Sequence, residues 1–176
     1  TPSRDARPSR IPARPRPSGR SARRRVRTLL QRVARAEVRV GGERIAAIGA
    51  GVLLLVGVEA GDTDAEADET ARKVAALRLF PGRTPMDRTL ADVSGSCLVV
   101  SQFTLAASLQ KGNRPSFDGA ELPARAEALY LRFARALAAG GLPVSTGRFA
   151  ADMEVELVND GPVTFLVTCR GGRIVP

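Results

Sequence analysis

From position 26 onward the apolar residues come in short runs punctuated by glycine and proline, and their period switches between that of a strand and that of a helix. Residues 26–33 read as a strand. Residues 37–40 and 43–48, joined by Gly41-Gly42, read as a hairpin with a glycine turn. The run 52–58, VLLLVGV, is apolar throughout, which is the pattern of a central strand covered on both faces. Thr63 and Glu66 then stand at capping-box spacing. Ala67, Ala71, Val74 and Leu77 recur behind them on one face, predicting a helix over about 64–78. A Pro- and Gly-punctuated connection, 79–90, leads to a strand over 97–105 and a polar loop, 106–119, that carries Lys111, Asn113 and Arg114. A second helix opens with Pro123 in its first turn, presents Ala126, Leu129, Tyr130, Phe133 and Leu137 on one face, and stops at Gly140-Gly141. Residues 144–146, 153–158 and 163–168 complete the strands. The sum is an α+β fold in a single domain: a mostly antiparallel, barrel-like sheet of about seven strands with two helices.

Charge changes this picture only at one end. The chain of 176 residues carries a net charge of +9, which invites a nucleic-acid reading. Yet residues 1–25 hold nine arginines against Asp5 alone, and the remainder holds 18 basic residues against 17 acidic ones. The folded part is therefore nearly neutral. Pro2, Pro8, Pro12, Pro15 and Pro17 stand among those arginines, and such a composition predicts disorder, because it buries too little apolar surface to offset the entropy of ordering. The expected organisation is a Pro/Arg-rich extension over 1–25, one domain over 26–170 and a short tail over 171–176. The extension is either without function or a basic arm with weak RNA affinity.

No stretch approaches the ~20 apolar residues that a membrane-spanning helix needs, so no membrane partner is expected. Cys97 and Cys169 both fall in apolar strand segments, which argues against a disulfide framework and for a reducing, cytoplasmic location. Histidine is absent altogether. That excludes Ser-His-Asp and Cys-His nucleophiles, a histidine general base and any His-ligated metal; two isolated cysteines do not make a zinc site either. Neither a metal nor a cofactor is expected.

Four short segments stand out against this background. Asn159-Asp160-Gly161-Pro162, between two alternating runs, is a strong hairpin-turn signal that explains the glycine. Pro162 is the odd element, since it removes a ladder donor where the last strand begins and gives the Gly161–Pro162 bond a realistic chance of being cis. Ser101-Gln102-Phe103-Thr104-Leu105 ends an apolar strand, with Gln102 and Thr104 on one face and Ser101 and Phe103 on the other. Its hydroxyls lack a histidine base. Residues 111–117, KGNRPSF, form a basic loop that either touches phosphate or is simply solvated. Gln31-Arg32-Val33 puts a cation at a strand end, facing carbonyls or water.

Taken together, in this order and spacing, these segments resemble the signature segments of the D-aminoacyl-tRNA deacylase family, over about residues 25–168. The resemblance implies a homodimer that hydrolyses the ester bond of D-aminoacyl-tRNA, and of glycyl-tRNA(Ala), with no cofactor. It implies that Ser101, Gln102, Phe103 and Thr104 line the pocket for the aminoacylated 3′-terminal adenosine. It further implies that Gly161-Pro162 is a cis peptide that enters the partner's pocket and rejects L side chains through its backbone, with Arg32 and Asn159 supporting that loop. Within the family's pattern, either the residue at Thr104 attacks the ester or the terminal 2′-hydroxyl of the RNA assists hydrolysis; the absence of histidine favours the second. The chain departs from the pattern at 81–88, which is short and rich in Pro and Arg, and at Ala106, where an aromatic residue is common. An RNA-binding module without turnover, driven by the basic arm, and a deacylase of relaxed chirality are the competing readings.

Overall fold

A computed structural model describes residues 25–110 and 112–176. The expected disorder of 1–24 and the side chain of Lys111 lie outside the described residues. Seven strands and two α-helices follow one another as β1 (Val26–Val40), β2 (Glu43–Ile48), β3 (Gly51–Gly57), α1 (Asp64–Ala76), β4 (Ser96–Ser101), α2 (Pro123–Ala139), β5 (Val144–Thr146), β6 (Glu154–Arg170) and β7 (Arg173–Val175). Their order in one sheet is β5-β4-β3-β1-β6-β7, with β2 also on β1.

The two segments expected at 26–33 and 37–40 are one 15-residue strand. Its first half pairs with β3 and its second half with β2 on the same edge, while β6 runs antiparallel along the other edge. The antiparallel expectation holds for every pairing of β1 and for β6–β7. The exceptions are β3–β4 and β4–β5, which are parallel. The reason is the helices: α1 and α2 lie between those strands in the chain and give each connection the length of a crossover. The sheet is thus mixed. Residues 171–176 add more than a tail, because the turn at Gly171-Gly172 returns the chain as β7 onto the end of β6.

Alternation along the strands builds two cores. Val52, Leu54 and Val56 of β3 face the helices, where they meet Leu30, Val99, Phe133 and Tyr130. Leu53 of the same strand faces the other way, into a cluster that gathers Val38, Leu98 and Val100 with Met153, Val155 and Leu157. Strands β4 and β6 are far apart in the sheet order yet meet in that second cluster, so the sheet curls around it. Burial of each such Val or Leu contributes about 1.5–3 kcal/mol, and a strand apolar on both faces is what these two cores require. Both helices begin where the sequence predicts: the Glu66 carboxylate accepts from the Thr63 N–H at 2.8 Å, and Pro123 starts α2; α1 ends at Ala76, two residues early, with Leu77 as its extended cap.

A candidate active site divided between two strands

The segment Ser101–Thr104 is only partly strand. β4 ends at Ser101, and residues Phe103–Ala106 turn into a 3-10 helix closed by the Leu105 N–H donating to the Gln102 carbonyl at 3.2 Å. The strict alternation expected for 101–105 is therefore broken. Gly57 at the end of β3 permits the turn. A Cβ there would lie 2.7 Å from the Leu105 Cβ and 3.0 Å from the Gln102 carbonyl oxygen, so only glycine lets the turn cross so closely.

The turn splits the four residues between neighbouring hollows. Ser101, Gln102 and Phe103 line a pocket of about 260 Å³ whose opposite wall is residues 150–153 and Val155. Thr104 lines the adjacent hollow of about 340 Å³ with Arg27, Leu109 and Phe117. The Thr104 hydroxyl accepts from the Gln102 amide at 2.5 Å, and an amide is no proton acceptor for a nucleophile. The pocket wall from 150 to 155 and the cation Arg27 were not foreseen. The wall carries no motif, and Arg27 reads in sequence as one more charge on a strand. Arg27 is fixed by an ion pair with Glu59 at 2.8 Å and reaches the Leu105 carbonyl at 3.4 Å.

The second motif corrects a stronger expectation. Asn159-Asp160-Gly161-Pro162 does not reverse the chain, because β6 continues through it as a 17-residue strand antiparallel to β1. Gln31 pairs with Thr164 and Val33 with Asn159, so the single residue Arg32 stands opposite the four residues 160–163, which bulge outward. A hairpin signal reads only local turn chemistry, whereas the partner strand β1 decides whether the chain turns back or bulges. Asn159 closes the neck of the bulge: its Oδ1 accepts from the Val163 N–H at 2.8 Å, and its Nδ2 donates to the Thr164 hydroxyl at 3.0 Å.

Arg32 holds the bulge from beneath. It is buried, with 8% of its surface exposed, and its Nε donates to the Asp160 carbonyl at 2.9 Å while Nη1 donates to the Leu79 carbonyl at 2.6 Å. The Asp160 carboxylate adds an ion pair at 3.2 Å. Gly161 sits at φ +135°, and a Cβ there would lie 2.7 Å from Val163 Cγ2 and 3.0 Å from Arg32 Nη2, so this position has neither the backbone conformation nor the space for a side chain. The Gly161–Pro162 bond is cis, and both residues are exposed.

Within one chain the two motifs are not brought together. The bulge faces Arg32, Arg32 pairs with Val52, and Val52 pairs with Cys97, four residues before Ser101. Three strand spacings, roughly 14 Å, and four residues, roughly 13 Å, lie between the two motifs along the curled sheet, and no residue of 159–163 lines the pocket of Ser101. Val158, Phe165 and Leu166 flank the bulge with more than two-fifths of each exposed, an apolar surface that nothing among the described residues covers. Among the described residues no group of three His, Cys, Asp or Glu is placed to hold a metal ion, and no helix is long and apolar enough to cross a membrane.

A mixed, curled sheet with two helices packed on one face is an architecture that solved structures share. One, titled c-Myc DNA unwinding element binding protein, superposes with a TM-score of 0.75 at 38% identity, covering 80% of this chain and 97% of that one. Another, a probable eukaryotic D-amino acid tRNA deacylase, gives 0.72 at 16% identity and shares the fold. The family model for D-Tyr-tRNA(Tyr) deacylase matches residues 29–168, and the chain belongs to that family. Relatives named D-aminoacyl-tRNA deacylase include one from Paracoccus denitrificans, 57% identical over 79% of this chain and 94% of its own length, and one from Symbiobacterium thermophilum, 51% identical over 81% and 95%.

Proposed function

We propose that this chain is a D-aminoacyl-tRNA deacylase, a carboxylic ester hydrolase that works as a homodimer and selects against L-aminoacyl esters by backbone shape. Family membership supports the hydrolase and its substrate class. The finer reading is ours. Ser101, Gln102 and Phe103 form the wall against which the aminoacylated terminal adenosine lies, with Thr104 at its edge. Gly161-Pro162 of a second copy enters that pocket, where its carbonyls hold the substrate amino group and leave no space for an L side chain; glycyl esters, having no side chain, pass. Arg32 and Asn159 fix the loop that does this.

The observation that carries the dimer reading is the separation just described. An exposed, braced bulge without room for a side chain stands apart from its own pocket and is flanked by the exposed Val158, Phe165 and Leu166. Such an element is suited to meet another chain's pocket.

Chemistry in this pocket rests on placement. No histidine exists to activate a hydroxyl, and the Thr104 oxygen is engaged by an amide donor. An aminoacyl ester is already reactive, so the terminal 2′-hydroxyl of the RNA can assist water, while a backbone amide of the Ser101–Thr104 segment stabilises the developing oxyanion. The test is deacylation of D-tyrosyl-tRNA beside L-tyrosyl-tRNA. The proposal requires rapid loss of the D ester and sparing of the L ester; equal rates, or none on either, refute it.

A further inference from the structure

Phe103, at the edge of the proposed pocket, meets a second exposed ring on the polar loop. The rings of Phe103 and Phe117 stand 5.1 Å apart, inclined at 53°, with 57% and 41% of each residue exposed. Leu109 beside them is 74% exposed. Aromatic residues are ordinarily among the more buried side chains, and two in contact at the surface form an uncovered apolar platform.

The platform is rigid on both sides. Phe103 opens the 3-10 turn crossing Gly57. Phe117 is held by the paired Ser108 and Ser116, whose N–H groups donate to each other's carbonyls at 2.8 and 3.0 Å, and by the Ala120 N–H on its own carbonyl at 2.9 Å. The Ala60 N–H further ties this loop to the body through the Gly119 carbonyl at 2.9 Å. Phe103 also lines the pocket with Ser101 and Gln102, while Phe117 lines the hollow of Thr104. The platform therefore continues the proposed site outward. Arg27, paired with Glu59, lines the same hollow, and Arg114 is exposed on the loop that carries Phe117.

We propose that Phe103 and Phe117 stack the nucleobase that precedes the terminal adenosine in the single-stranded 3′ end of the RNA, with Arg27 and Arg114 facing the intervening phosphate. This rests on the deacylase reading above. Every base offers a π face, so stacking grips the strand whatever its sequence, which suits an enzyme acting on many tRNAs. The arginines supply the cations that phosphate contact requires. A nearly neutral body with a short stacking platform would thus hold the strand end locally, not by a broad basic surface.

The experiment compares the D-tyrosyl ester of adenosine with the D-tyrosyl ester of the dinucleotide cytidylyl-adenosine. The wild-type protein should favour the dinucleotide by about tenfold in kcat/KM, through KM, a factor within the range of a single base–aromatic stack. Phe117→Ala should abolish that preference, Phe117→Tyr should keep it, and Phe117→Leu, which preserves apolar bulk without a ring, should lose it. Equal loss on both esters, or retention of the preference in Phe117→Ala, overturns the proposal. So does a change in sedimentation of Phe117→Ala, which would make the platform a contact between copies of the chain. Failure of the wild-type protein on both D esters would instead refute the deacylase reading itself.

Discussion

Arg32 offers the most direct test of how the bulge is held. In Arg32→Met the stem is retained and every donor is lost. The Leu79 carbonyl loses a buried charged donor at 2.6 Å, a contribution of about 2 kcal/mol, and the partly buried Asp160 carbonyl loses another worth about 1 kcal/mol. The Asp160 carboxylate is more than half exposed, so its ion pair adds a few tenths of a kcal/mol at most. The sum, about 3 kcal/mol, should lower the urea midpoint by about 1.5 M at a typical m-value near 2 kcal/mol/M. The fold should survive, but the loop should lose its fixed direction. The ratio of D- to L-tyrosyl-tRNA deacylation should then fall by about tenfold or more, since displacements near 1 Å cost that much in a positioned site. Arg32→Lys should fall between, because one ammonium does not span both carbonyls as the planar guanidinium does. The assays are urea unfolding followed by circular dichroism and single-turnover hydrolysis of both esters. A folded Arg32→Met protein with wild-type chirality would refute the reasoning.

Thr104→Ala should keep turnover within about threefold of wild type in single-turnover assays, because the hydroxyl has no base to activate it; a large loss with unchanged substrate binding would restore the side-chain nucleophile. Asp62 is fully buried, with one carboxylate oxygen lacking a partner, and desolvation, reinforced by Glu66, Glu59 and Glu121, pushes it up to about 7. The folded state thus holds the proton more tightly than the unfolded chain. The contribution of Asp62 to stability should be complete below pH about 4 and be lost, by a few kcal/mol, as pH rises towards 7, so Asp62→Asn should gain stability relative to wild type across that range in thermal melts. Deleting residues 1–24 should leave the single-turnover rate at saturation unchanged; a protein without turnover at any length, whose tRNA affinity and steep salt dependence in filter binding vanish with the deletion, would instead be a binding module driven by the arm.

Hydrophobic period, with the Thr63/Glu66 capping box, Pro123 and Gly140-Gly141 as boundaries, located α1 and α2 to within about two residues, and an unbroken apolar run marked β3 as covered on both faces. The buried state of Cys97 and Cys169 was legible for the same reason. The absence of histidine, a fact of composition, narrowed the chemistry before any coordinate was known. What the sequence by itself could not determine was which segments lie side by side. Only the family resemblance, and no local pattern, put Arg32 beside residues 160–163; neither says that Asn159-Asp160-Gly161 bulges instead of turning back, or that Ser101–Thr104 leaves its strand over Gly57. Those outcomes depend on long-range register: β1 holds β6 along its whole length and fixes the bulge between Gln31 and Val33, while the curl of the sheet brings residues 150–155 opposite the end of β4. Period is a property of neighbours in the chain; register is settled only when distant strands compete for the same backbone hydrogen bonds.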